Sequence, residues 1–200
     1  MSDGLKKAEG TRERKRRETH RKLTETGLTL FAQKGFEGTT LDDIASAAGI
    51  ARRTFFHYFS SKEEIILAWQ NGLPESLYAE IVSRGNSTTP FGVVSEALLA
   101  MTISMDPNIA ALIARLTQSN EQLRMGNQMK FLRMEEAAYA ALCALWPAPQ
   151  GAPALKMAAM AATGAMRLAV DDWLCEACQK PLGDYLRANI LSLQSELFGD

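Results

Sequence analysis

The sequence predicts an all-α protein, with an N-terminal three-helix unit of the helix-turn-helix kind followed by a larger C-terminal helical domain. Three observations lead there. Strand signals are nearly absent: no long alternating runs occur, and no Asn-Gly or Asp-Gly pair joins two apolar stretches. Apolar residues recur instead at spacings of three and four, the mark of one buried helix face. Charge is also divided along the chain. The formal net charge is −1, yet residues 1–62 carry +5 and residues 63–200 carry −6. A basic front with an acidic back points to a polyanion as the partner of the front.

Hydrophobic residues make up 46% of the 200-residue chain, enough for a substantial core. No run of 18 apolar residues is present, so no membrane span is expected. The N-terminus is polar and basic with no apolar stretch behind it, which argues against a secretory signal and for the cytoplasm.

Residues 1–11 are polar and contain glycine, so a disordered tail is expected. Residues 12–22 hold seven Lys or Arg and two Glu, read as a basic arm leading into the first helix. That helix places Leu23, Gly27, Leu30 and Phe31 on one face and stops at Gly35, a residue suited to the position after a helix end. Thr40 offers an N-cap to a short second helix, with Asp42 and Asp43 in its first turn, where the helix dipole favours negative charge. Leu41, Ile44, Ala45 and Ala48 form its buried face. After Gly49 a third helix is expected over about 51–58. Ser60 or Ser61 caps a fourth, with Glu63 and Glu64 at its positive end and Ile65, Ile66 and Trp69 as its apolar face. This sets a first domain at 12–62 and a second at 63–200.

In the second domain, Gly72–Pro74 is a kink or a break. Thr89 caps a helix begun by Pro90. Pro107 and the 147–153 stretch read as connections. A long helix fills 121–146, with Phe131, Ala138, Leu142 and Leu145 on one face, and an alanine-rich helix fills 154–178. Pro181 opens a last helix with Leu182, Leu186, Ile190, Leu193 and Leu197 at spacings of three and four.

Residues 39–65 read TTLDDIASAAGIARRTFFHYFSSKEEI, two short helices joined by a tight turn at Gly49. That is helix-turn-helix geometry. Ala45 and Ala48 allow the helices to approach closely, and Phe55 and Phe59 anchor the second one. Arg52, Arg53, Thr54 and His57 are left toward the outside. Arginine can donate two hydrogen bonds to a guanine edge, threonine can touch a thymine methyl, and either can hold phosphate.

This stretch resembles the DNA-binding domain of the TetR family of bacterial repressors. The resemblance rests on Phe-Phe-His-Tyr-Phe at 55–59, Ser-Lys-Glu at 61–63, Phe-Ala-x-x-Gly-Phe at 31–36 and Thr-Thr at 39–40, in order and spacing over about a quarter of the chain. It implies residue roles. Thr40 would meet a phosphate at a helix N-terminus. Arg52, Arg53 and Thr54 would enter the major groove. Phe56, His57 and Tyr58 would lie along the groove or backbone, and Lys62 would contact another phosphate. Arg16 and Arg17 in the arm would add phosphate or minor-groove contacts. Phe55 and Phe59 read as core, and His57 reads equally well as an exposed histidine. One departure stands out: Ala51 occupies a place where family members often carry serine or threonine. Alanine cannot cap, at a cost of about 1 kcal/mol.

The resemblance also implies a homodimer joined through the helices at about 154–178 and 182–198. Ala158, Ala161, Ala162, Ala165 and Ala169 permit close packing there. A two-fold dimer would present two reading heads to a palindromic operator. A pocket for a small-molecule effector is implied as well, with Met101, Met105, Phe131, Met134, Met166 and Arg167 as candidate lining. Met125, Met129, Met157 and Met160 complete a methionine-rich set suited to a hydrophobic or acyl-like ligand. Asn127, Tyr139 and Asp171 could orient it. The identity of the effector does not follow from these residues.

No catalytic constellation is visible. The only histidines are His20 and His57, and neither a G-x-S-x-G nor a P-loop pattern occurs. No cofactor and no metal is expected. Cys143, Cys175 and Cys178 suggest no disulfide framework, and the C-x-x-C lacks further zinc ligands, so two ordinary thiols on a helix are expected. The expected function is an effector-controlled transcriptional repressor. An activator of the same fold, or a helical protein-interaction module that ignores DNA, are the alternatives.

Overall fold

The computed structural model describes residues 10–147 and 152–198, without the side chains of 197 and 198. Among the described residues all regular structure is helical, in nine helices. These are α1 (Thr11–Lys34), α2 (Leu41–Ala47), α3 (Arg52–Phe55), α4 (Lys62–Arg84), α5 (Pro90–Ser104), α6 (Pro107–Ser119), α7 (Glu121–Leu145), α8 (Ala152–Cys175) and α9 (Leu182–Phe198). The chain divides into two compact units, Met1–Ile66 and Leu67–Asp200, so the boundary falls inside α4 and slightly beyond the expected one at 62.

The first unit is built on α1, which already begins at Thr11. The basic stretch is therefore the first half of this helix and not an arm leading into it. Three ion pairs one turn apart support it: Arg16–Glu13, Arg14–Glu18 and Arg21–Glu25, each at 3.7 Å. The tail expected over 1–11 lies, for residues 1–9, outside the described residues. The buried face of α1 holds Leu23, Thr24, Gly27, Leu28 and Phe31, so Leu28 replaces the expected Leu30, which is half-buried. Gly27 permits a close approach: a Cβ there would lie 2.9 Å from Ile65 Cγ2. Ile44, Ala45, Phe55, Phe59, Ile65 and Ile66 complete this core.

In the second unit α8 is the central element, packed against α5, α7 and α9. Its buried Ala159, Ala162, Ala165 and Ala169 keep the helices close, whereas Ala158 and Ala161 are only half-buried. Several sequence expectations are revised. α4 continues through Pro74 to Arg84, because Leu77 and Ile81 stay fully buried beyond the proline and hold the turn that lacks a backbone donor. Pro107 opens α6 instead of connecting helices: Asp106 caps it through the amides of Asn108 and Ile109. Pro153 lies inside α8, while residues 148–151 of the expected connection lie outside the described residues. After α8, Ala177 and Cys178 take positive φ, and the Cys178 amide donates to Trp173 O at 2.8 Å, closing the helix end. No single helix among the described residues is long and apolar enough to cross a membrane.

Candidate nucleic-acid interface

Local hydrogen bonds fix the start of α2. The Thr40 hydroxyl accepts from the Asp43 amide at 3.1 Å, and the Asp43 carboxylate accepts from the Thr40 amide at 2.9 Å and hydroxyl at 2.7 Å. This is a reciprocal capping box. These bonds to the charged form hold the Asp43 carboxyl below its ordinary pKa. Beside it, the buried Thr39 hydroxyl donates to Gly35 O at 2.8 Å and ties down the loop before α2, a role with no sequence signal beyond the Thr-Thr pair.

The turn into α3 needs Gly49. Its φ is +66°, a region L-residues with a Cβ enter at a cost. The Gly49 and Ile50 amides donate to Ser46 O and Ala45 O, both at 3.0 Å, and end α2. Ala51 offers α3 no side-chain cap, as its chemistry requires. The regular part of α3 is one turn, Arg52–Phe55, shorter than the expected 51–58. Beyond it the amides of His57 and Tyr58 donate three residues back, to Thr54 and Phe55, so the rod tightens rather than ends.

Phe55 and Phe59 are buried, with ring centroids 6.0 Å apart. Positions 52, 53, 56 and 57 therefore face outward. Arg52, Arg53, Thr54 and His57 are exposed, Phe56 is 43% exposed and Tyr58 is half-buried. The structure thus brings together the side chains assigned to the groove. Arg53 has no ion-pair partner among the described residues. Arg52 Nε lies 3.1 Å from Asp42 Oδ1, and its guanidinium is 5.6 Å from the Phe56 ring.

One expectation changes. Lys62 does not project from the start of α4. Its ammonium donates to Phe36 O at 2.7 Å, lies 4.4 Å from the Phe36 ring centre and pairs with Glu37 at 3.6 Å. It ties α4 to the α1–α2 loop, because a half-buried ammonium needs such partners more than an exposed one does. Of the two serines expected at the start of α4, Ser61 caps it by accepting from the Glu64 amide, while Ser60 donates to the Glu64 carboxylate and holds its pKa low. Arg16 and Arg17 are exposed on α1. Nothing in the sequence pattern gives His20 a place in the site. It stacks on Phe59 at 4.7 Å and near Tyr58 at 6.3 Å, and burial with the nearby Arg16 pushes its pKa down.

The second unit contains a cavity of about 420 Å³, lined by residues of α4 to α8 together with Leu182 of α9. Met101, Met105, Phe131, Met134 and Met166 line it as expected, with Asn127 and Asp171. Arg167 does not. It is exposed and lines an adjoining groove of about 530 Å³ with Leu132 and Met160, because it points away from the buried side of α8. Tyr139 lines neither space, and the neighbouring Cys143 side chain pushes its pKa up. Met125, Met129 and Met157 are exposed and outside both spaces. Trp69 and Lys130, which line the cavity, were not anticipated there: a lysine on an amphipathic helix reads as a solvent-facing residue. On α8, Met157, Met160 and Leu168 form an exposed apolar stripe around Gly164, and Leu191 of α9 is also exposed.

Known proteins resemble the N-terminal part of the chain in sequence and most of it in fold. Residues 23–69 match the family model described as bacterial regulatory proteins, tetR family. The regulator TcmR of Streptomyces glaucescens is 37% identical over 92 residues, 46% of this chain and 41% of that protein. The transcriptional repressor KstR2 of Rhodococcus jostii is 41% identical over 66 residues, 32% of each. The chain thus spans less than half the length of these relatives. Among solved structures, Thermus thermophilus FadR, a TetR-family repressor in complex with lauroyl-CoA, is similar over 90% of this chain and 94% of its own, with a TM-score of 0.61 at 19% identity. At that identity the likeness is one of fold.

Proposed function

We propose, for a chain whose residues 23–69 match the tetR family of bacterial regulatory proteins, that it is a DNA-binding transcriptional repressor controlled by a small, largely apolar effector. The observation that carries this is the outward cluster of Arg52, Arg53, Thr54 and His57 on a short rod anchored by buried Phe55 and Phe59. These are donors and a methyl group suited to base edges, held rigidly. Thr40, Phe56 and Tyr58 would flank the groove, and Arg16 and Arg17 would add phosphate contacts. Lys62 would act by holding the loop before α2.

Residues 12–62 would be the reading head and 63–200 the effector-binding and dimerisation part. KstR2 and FadR are repressors by name, and FadR binds an acyl-CoA. The methionine-lined cavity supports an effector site in this chain of similar apolar character. The exposed stripe Met157, Met160 and Leu168 with Leu191 supports a homodimer through α8 and α9. An effector favouring the conformation with lower DNA affinity would then release the operator. Site of action would be the cytoplasm, and no catalytic residue is assigned.

The test is binding of the full chain to the intergenic DNA beside its own gene, measured by footprinting and salt titration. Wild type should protect a near-palindromic site, with affinity falling steeply as salt rises. R52A/R53A should lose that protection, a cost of about 1–3 kcal/mol for each base contact. Sequence-specific binding retained by the double variant would remove these arginines from the mechanism.

A further inference from the structure

We propose that the effector is an amphipathic anion whose carboxylate, or other singly charged oxyanion, seats on Lys130 while its hydrocarbon body fills the methionine-lined cavity. This deepens the effector-site reading above and rests on it.

Lys130 is half-buried on α7 and lines the cavity. Its Nζ donates to Asn127 Oδ1 at 2.7 Å and lies 3.9 Å from the centre of the Phe131 ring. Among the described residues no carboxylate comes within 4.0 Å of that ammonium, although Asp171 is near enough to act on it through space. An ammonium has three donors and no acceptor, so one amide oxygen and a ring face leave it short of partners. Burial accordingly pushes its pKa down to about 8, with the Asp171 charge opposing the shift. A group so placed costs stability unless something completes its surroundings.

The remaining lining decides which charge completes them. Its ionisable residues are Arg124, Lys130 and Asp171, two cations against one carboxylate. A cationic ligand would add to the excess, and a neutral one would leave it standing. An anion closes it, through charge-assisted hydrogen bonds that are the stronger kind. The rest of the ligand is set by Leu98, Met101, Ile113, Met134 and Met166, which offer an apolar and adaptable wall. The cavity volume of about 420 Å³ is that of a site for one small molecule.

The experiment is calorimetric titration of the full chain at neutral pH with three single-chain probes of equal length: decanoate, decanol and decylamine. Wild type should bind decanoate about tenfold or more tightly than decanol, with decylamine weakest. K130M, close to lysine in shape but uncharged, should lose that advantage while binding decanol as before, and should melt no lower than wild type. The proposal is overturned if decanol or decylamine equals decanoate on wild type, if K130M keeps the preference, or if none of the three binds. Gel shifts without ligand separate this from the regulatory reading. K130M should hold operator DNA like wild type, whereas wild type failing to bind DNA at all would sink the regulator and leave the calorimetric result to stand alone.

Discussion

Arg52 and Asp42 hold each other at 3.1 Å across the turn, both well exposed. Exposed pairs of this kind are worth about 0.2–1 kcal/mol, so the pair is a weak brake on an arginine that DNA would recruit. Asp42 also places a carboxylate where phosphates would come. D42N should therefore tighten operator binding by about two- to fivefold, and the gain should shrink as salt is raised. Weaker binding by D42N in the same gel-shift series would mean that Asp42 positions Arg52 and does not restrain it. The outward set of Arg52, Arg53 and His57 was legible because Phe55 and Phe59, four apart, could face inward only by turning those positions out. The inward turn of Lys62 onto Phe36 O was not, since a contact across 26 positions leaves no periodic trace.

At the scale of elements, α1 shows both what pattern reveals and what it hides. The helix after Leu23 followed from apolar spacing. Its basic first half did not, because seven cations drew attention to charge, although the i,i+3 and i,i+4 carboxylates that pair with them were present in the sequence. Having Leu28 in place of Leu30 turns the buried face by about half a residue, which only packing against α2 and α4 settles. Gly27 was correctly placed on the buried face, and its reason is now visible in Ile65. Filling that space with Gly27→Leu should overpack the first unit and destabilise it by about 1–3 kcal/mol, outweighing the helix-propensity gain. Denaturant unfolding followed by the signal of the N-terminal unit would check this, and an unchanged midpoint would mean that α1 shifts to make room. The capped start of α2 was legible from Thr40, whereas Asp43, which reads as a negative charge for the helix dipole, proves to complete a reciprocal capping box. The early end of regular α3 was not, because no residue from 56 to 58 is a helix breaker.

For the whole molecule, the second unit was legible in its last three long helices, not in α6 or in the run of α4 through Pro74, and only partly in its cavity. Met101, Met105, Phe131, Met134 and Met166, named through the resemblance and the methionine content, do line it, while Arg167 fails because a charged residue at a helix flank can face either way. The exposed Leu168, at 50% accessibility, sits in the stripe assigned to the second subunit. L168E should sediment as a folded monomer with unchanged helicity and lose high-affinity operator binding, since each reading head would then act alone. A dimer that persists would move the interface elsewhere. Lys130 carries a different kind of consequence. A desolvated ammonium is tolerated only while something selects for it, so lineages that cease to meet their inducer should drift at position 130 toward methionine or leucine. Directed evolution for heat tolerance on the unliganded protein should arrive at the same substitutions and yield a hardier protein deaf to the proposed anion.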